Sequence, residues 1–266
     1  HLITKAVNVW EDNLKEVISK DFQGKQRDML FMKYRSAFNV QYINTFSPEQ
    51  SIHDIKSIET VLEKDEAILK IYNSAKSGKN VIQMKVFSLG VELYLSAIFP
   101  IIDNIGFFIF DVATFETKIK HLGEEKQVYI HYLRTRPKHG EILLNESQKH
   151  NVELGLRKIW QQEVENDCFN SLIYYIDIDY RQANLLRAYA KYLKQINFAF
   201  LYEFVLETLL KYPNITKDLV NLFYAKFAPS YKGLSVKQVL KNLKRSIDQL
   251  KIFSDDKIFG ALLNVI

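Results

Sequence analysis

Glycine and proline, the residues that most often turn or break a chain, are scarce here: nine and five in 266 residues. A chain so poor in both is built for long helices rather than for the many short, sharply turned strands of an all-β fold. Hydrophobic residues make up 47% of it, with 18 Phe and 15 Tyr, enough to fill a core and to exclude global disorder. Apolar residues then recur at helical spacing. Val7, Trp10, Leu14, Val17 and Ile18 form one stripe, and Leu30, Tyr34, Ala37 and Phe38 a second. Ser47-Pro48-Glu49-Gln50 reads as a helix start, with Ser as N-cap, Pro at the first helical position and Gln three residues after the cap. Ile52, Ile55, Ile58 and Leu62 continue that helix's buried face.

The texture changes near residue 67. Ala67–Tyr72 reads as a short strand, Ser74–Asn80 as a turn, and Val81–Phe87 as a half-buried strand with Gln83 and Lys85 on its polar side. Val91–Ile105 reads as a helix, with Leu93, Ile98, Ile101 and Ile102 inward and Gly106 as its stop. Phe107–Phe115 and Val128–Thr135 are two further strands. Arg136–Gly140 has the look of a linker, and everything beyond it is helical. Asp179 with Gln182 and Ser235 with Gln238 repeat the capping spacing. Leu185, Leu186, Tyr189, Tyr192, Leu193 and Ile196 make a stripe on the helix that Asp179 opens, and Val236, Val239, Leu240, Leu243, Ile247 and Leu250 one on the helix after Ser235. The fold class is therefore α+β, mostly α. Its parts are a helical segment over 1–65, a small α/β sandwich over 66–137 and a helical domain over 138–266.

The bulk properties exclude several functional classes. The net charge of +5 is the balance of 36 basic and 31 acidic residues spread along the chain, a solvated surface rather than a nucleic-acid footprint. The single cysteine, Cys168, permits no internal disulfide and suits a reducing compartment. The longest apolar run, Ile98–Phe110, is broken by Pro100, Asp103, Asn104 and Gly106, so no membrane span is expected. The opening residues read as an amphipathic helix with acidic side chains, unlike a signal peptide, and His1 leads to the expectation of a chain cut from something longer.

Catalytic motifs are not found. The glycines are dispersed, no two closer than Gly78 and Gly90, so neither a dinucleotide-binding turn nor a P-loop can be assembled. None of the six histidines has zinc-site spacing, and His131 reads as a strand-face residue hydrogen-bonded to a neighbour. Cys168 has no His nearby in sequence and reads as a packed thiol. Asp179 is better explained as a helix cap than as half of a carboxylate pair with Asp177. Lys237, Lys241, Lys244 and Arg245 gather on one helix face, and Tyr189, Tyr192, Tyr202 and Tyr212 sit at core spacing.

Several blocks nevertheless resemble, in order, the large NAD-specific glutamate dehydrogenases. They begin with Val9–Leu14, Arg35–Tyr42 with Phe46-Ser47-Pro48, and Asp54-Ile55 with Ile58-Glu59. Leu95–Gly106 follows, then Trp160 with Glu165-Asn166-Asp167 and Phe169-Asn170. Leu186–Leu193, Leu219–Phe223 with Phe227–Pro229, and Asp255–Ile258 complete the set. The Glu-Asn-Asp block and the Leu-Arg-Ala-Tyr-Ala block are the most specific. Cys168, Lys257 and Ala228 depart from the residues the family commonly carries there. The resemblance implies a parent enzyme that oxidatively deaminates L-glutamate to 2-oxoglutarate with NAD. This chain would then be a non-catalytic regulatory and scaffolding segment without cofactor of its own, the catalytic core lying downstream of Ile266. It implies that the sandwich is ACT-like, with Ser88, Leu89 and Gly90 forming a loop that faces an amino-acid effector or a second module. It also implies a homo-oligomer in the cytoplasm, without membrane or nucleic-acid partners. The alternative is a free-standing helical protein that binds an acidic partner or nucleic acid.

Overall fold

The computed structural model describes residues 2–73, 81–140 and 144–266, and side chains from residue 9 onward within them. The turn expected over Ser74–Asn80 and the Val7 side chain lie outside the described residues. The chain forms two compact units: His1–Phe99 with Ile109–Arg136, and Pro100–Phe108 with Pro137–Ile266.

The first unit opens with α1 (Leu2–Asp21), α2 (Gly24–Tyr34), α3 (Val40–Thr45) and α4 (Pro48–Lys64). Trp10, Leu14, Val17 and Ile18 are buried, as are Leu30, Tyr34, Ala37 and Phe38, so both expected stripes face the core. α4 begins where its cap demands: the Ser47 backbone N–H donates to the Gln50 side chain at 3.1 Å, and Pro48 occupies a position whose missing N–H costs nothing. Four strands follow, β1 (Ile68–Asn73), β2 (Ile82–Leu89), β3 (Phe107–His121) and β4 (Glu124–Pro137), in the spatial order β1-β2-β4-β3. β2 is antiparallel to both β1 and β4.

One face of the sheet shares a single core with the helices. Phe87, Phe115, Ile119, Val128, Ile130 and Tyr132 pack in the same cluster as Trp10, Leu14, Tyr42, Phe46, Ile55 and Ile58. Residues 2–64 and the sheet residues 109–136 fall in the same compact unit.

Two strand expectations fall short of what forms. β3 and β4 are longer than the sequence reading, because Leu122 (φ 50°) and Gly123 (φ 85°) supply the two positive φ angles of a tight hairpin. The alternation of buried Phe115, Thr117 and Ile119 with exposed Glu116 and Lys118 was the overlooked signal. The helix expected from Val91 starts only at Leu95, as α5 (Leu95–Ile105), since the residues before it are held to the sheet.

The second unit contains α6 (Glu146–Trp160), a 3₁₀ turn (Cys168–Asn170), α7 (Ser171–Tyr175), α8 (Tyr180–Gln195), α9 (Tyr202–Lys211), α10 (Pro213–Phe227), α11 (Val236–Ile247) and α12 (Phe253–Val265). Asn145, Asp179 and Ser235 each cap a helix through a reciprocal pair with Gln148, Gln182 and Gln238. The expected linker is pinned at its end: the Lys138 N–H donates to the Gly106 carbonyl at 2.9 Å, and the His139 N–H to the Tyr175 hydroxyl at 2.9 Å. The buried face of α8 is Ala183, Leu186, Arg187, Ala190 and Leu193, whereas Tyr192 and Ile196 are exposed. The expected stripe was weighted towards large apolar residues; small alanines set the true face.

Gly106 (φ 112°) is fixed by both backbone and space, since a Cβ there would lie 2.6 Å from the Tyr175 ring, whose hydroxyl donates to the Gly106 carbonyl at 3.0 Å. Gly106→Ala is expected to cost about 1–3 kcal/mol through forced backbone strain and displacement of that ring. A drop in the urea midpoint of the chain checks it, with Gly260→Ala, at a helical position with open space, as the control expected to hold or raise the midpoint.

Candidate functional site

The residues expected to form an effector loop are Ser88, Leu89 and Gly90. Ser88 and Leu89 fall instead within β2, opposite Tyr129 and Val128 of β4. The Ser88 hydroxyl is buried and donates to the Val91 carbonyl at 2.7 Å. The Gly90 N–H donates to the Gln127 carbonyl at 2.8 Å. Gly90 itself has φ 69° with open space around it, so backbone conformation alone calls for glycine. The exposed part of the segment is the next stretch, with Val91 and Tyr94 well exposed.

The sequence reading missed the polar centre of the first unit. Lys85, assigned to the polar side of β2, is 3% exposed. β2 is a central strand with both faces covered, so its alternation does not separate core from solvent. Lys85 Nζ lies 2.5 Å from Asp54 Oδ2, and the Tyr42 hydroxyl donates to the same oxygen at 2.5 Å. The ammonium sits 3.5 Å from the centre of the Phe46 ring, with Tyr42, Tyr72 and Tyr132 around it. Burial pushes the Asp54 carboxyl up and the Lys85 ammonium down, and each charge pulls the other back. Asp54 Oδ1 is buried without a partner among the described residues. A group so enclosed is not offered to a substrate; it ties α4 to β2.

In the second unit the Glu-Asn-Asp block is drawn together by Arg187 on α8. Arg187 is 4% exposed. Its Nε donates to both Asp167 carboxylate oxygens at 3.0 Å, and its terminal nitrogens reach Asn184 Oδ1, Asn170 Oδ1 and the Glu165 carbonyl. Asp167 also accepts from the Phe169 N–H and from the Tyr202 hydroxyl, both at 3.0 Å, while Tyr202 packs on Phe169 at 4.5 Å. Lys191 closes the rim on Glu165. Burial and the Asp167 charge push the Tyr202 hydroxyl well up, keeping it a donor. The planar guanidinium fork explains why this position takes Arg rather than Lys.

Other singled-out residues have structural employment. Burial raises the Cys168 thiol, with Asp167 and Glu203 adding to it, the reverse of what a thiolate nucleophile needs. Asp179 caps α8, and Asp177 occupies a left-handed turn within reach of Asn151. Tyr212 donates to Asp255 at 2.8 Å, and Tyr189 packs against Phe223. Lys237, Lys241, Lys244 and Arg245 all lie on the exposed face of α11. No His, Cys, Asp or Glu cluster among the described residues could hold a metal, and no described helix is long and apolar enough to cross a membrane. Glycines occur singly along the chain, and the N-termini of α4, α6, α8 and α11 are closed by their own side chains.

Comparison with known proteins finds matches over the regions that contain these two polar centres. Three glutamate dehydrogenase families match in sequence order: helical motif 2 over residues 20–61, the ACT3 domain over 66–147 and helical motif 3 over 164–229. The chain belongs to the glutamate dehydrogenase family. An NAD-specific glutamate dehydrogenase of Halomonas elongata is 26% identical over 267 residues, 99% of this chain and 16% of the relative. Those of Mycobacterium tuberculosis (27% over 275 residues) and Pseudomonas aeruginosa (22% over 270) cover 100% and 99% of this chain. The chain spans 16% of the length of each of these glutamate dehydrogenases. Lys85 and its aromatic box combine residues of the helical motif 2 and ACT3 regions. The Arg187 cluster lies wholly within helical motif 3.

Lys85→Met would leave the Asp54 carboxylate buried without a counter-charge. A loss of about 3–5 kcal/mol is expected in urea unfolding, with more than half recovered in Lys85→Met/Asp54→Asn. Arg187→Ala is expected to cost a similar amount, about 3–5 kcal/mol, by stranding Asp167. Arg187→Lys should restore only part of it, since one ammonium cannot reach the carboxylate and both asparagines together.

Proposed function

We propose that this chain is a non-catalytic regulatory and scaffolding segment of a large NAD-specific glutamate dehydrogenase. The parent reaction is oxidative deamination of L-glutamate with NAD and water, giving 2-oxoglutarate, ammonium and NADH. The observation that carries the reading is the collinear match of three glutamate dehydrogenase families along a chain covering 16% of its relatives. The chemistry of the chain supports it: among the described residues, the most enclosed ion pairs, Lys85–Asp54 and Arg187–Asp167, are joined to further protein groups and tie distant parts of the chain together. In this reading the contacts of α4 with β2, and of α8 with residues 165–170, hold rigid platforms. The ACT-type region senses an amino acid or pairs with a second copy, and the partners are the catalytic domain of the same polypeptide and further subunits. NAD belongs to that catalytic domain, and the assembly works in the cytoplasm.

The test combines two measurements on the purified chain. Incubation with L-glutamate and NAD should produce no NADH absorbance, and co-purifying turnover would sink the non-catalytic assignment. Calorimetric titration with each of the common amino acids should identify one that binds. Gly90→Val should weaken that binding at least about tenfold, because a β-branched residue resists φ near 69°. Heat from none of the amino acids would remove the effector role while leaving the scaffolding role standing. Salt-dependent binding of duplex DNA at micromolar concentration would favour the acidic-partner alternative.

A further inference from the structure

On the sheet face opposite the aromatic core, His131 is fully buried, paired across the ladder with Val86. Its ring is held from two sides. The Leu93 backbone N–H points at Nε2, 3.2 Å away, and the Thr114 hydroxyl lies 3.1 Å from Nδ1. A backbone amide can only donate. Nε2 must therefore offer its lone pair, the proton of the neutral ring sits on Nδ1, and the Thr114 oxygen accepts it. The ring is in the one form compatible with the position of Leu93.

Leu93 belongs to the short stretch that leaves β2 and enters α5. Three hydrogen bonds hold that stretch to the sheet: Ser88 Oγ to the Val91 carbonyl, the Gly90 N–H to the Gln127 carbonyl, and the Leu93 N–H to His131. The first two join groups that do not titrate near neutrality. The third vanishes when Nε2 takes a proton, because two N–H groups then face each other.

We propose that His131 is an acid-sensitive latch: neutral, it holds the Gly90–Tyr94 segment on the sheet, and protonated, it lets that segment go. The proposal stands on this geometry and is independent of the reading of the chain as a regulatory segment. β3 presents the uncharged Thr114 to the ring and β2 the apolar Val86; Glu92, on the latched segment itself, is the charge acting on it. Burial lowers His131 from its ordinary value of 6.5, and Glu92 works against that shift. The folded ring thus binds its proton less readily than the unfolded one. Below pH 6.5 the unfolded chain binds more protons, so stability falls with pH until the folded ring titrates. Opening of the segment is a local alternative to unfolding. It also moves Glu92, together with Val91 and Tyr94, which are already exposed beside the expected effector position.

The latch can be read by nuclear magnetic resonance on the full chain between pH 8 and 5. Nitrogen-proton correlations should show the Nδ1–H tautomer at pH 8 and a His131 midpoint below 6.5. The Leu93 amide should lose about tenfold in exchange protection with the same midpoint, the size expected for one net hydrogen bond. Amides of the β2–β4 ladder should hold. His131→Gln should make Leu93 protection independent of pH, and Glu92→Gln should move the midpoint lower. Should His131→Gln fail to fold, Thr114→Val serves in its place, lowering Leu93 protection at pH 8 by freeing the tautomer. An Nε2–H tautomer at pH 8, or a titrating His131 with unchanged Leu93 exchange, would overturn the proposal.

Discussion

A lysine and an aspartate buried together set the terms for the first unit. Taking both charges out of water is unfavourable by several kcal/mol per ion, and only tight pairing with further hydrogen bonds compensates. Asp54 on α4 and Lys85 on β2 meet that demand jointly with the Tyr42 hydroxyl from α3 and the face of the Phe46 ring. No one of these elements could bury its charge alone. The pair therefore specifies more than it stabilises: α4 can sit on the sheet in one register, the one that brings carboxylate to ammonium. The aromatic chain from Trp10 through Phe38, Tyr42 and Phe46 to Phe115 and Tyr132 grows around that contact. The Trp10 indole N–H, donating to the Phe46 carbonyl at 3.0 Å, ties α1 to the same point.

The second unit solves a related problem with a different cation. Between α6 and α8 the backbone turns several times within about twenty residues, and its loose polar groups need partners. Arg187 collects them, binding one carboxylate, two side-chain amides and a carbonyl from a single planar group. Asn170 returns a hydrogen bond to the Glu165 carbonyl at 3.0 Å, and Tyr202 brings α9 to Asp167. The Glu-Asn-Asp motif is thus an architectural fixture, held by Arg187 and Tyr202. Both centres act as joints, in keeping with a segment that positions rather than reacts.

Much of this was legible from residues alone. The helices of 2–64, the capping boxes at Ser47, Asp179 and Ser235 and the apolar stripes of α1, α2 and α4 follow from local rules that act within one or two turns. The distribution of glycine excluded dinucleotide loops for the same reason: such loops are made from neighbouring residues. What escaped were features whose cause lies far along the chain. Lys85 looked like a solvent-facing strand residue because alternation reveals a buried face only when the other face is wet. Arg187 gave no local sign of burial because its carboxylate partner lies twenty residues away. The loop expected at Ser88-Leu89-Gly90 is largely strand because β4 pairs with it and extends the ladder.

The sequence by itself determined the elements, the mostly helical α+β class and the family, since propensity, capping and ordered motifs are local or collinear properties. Only the tertiary structure decided which charges are buried, which face of α8 turns inward and which tautomer His131 adopts. Those depend on the dielectric and hydrogen-bond partners that distant segments supply, and no residue carries that information until the chain has closed around it.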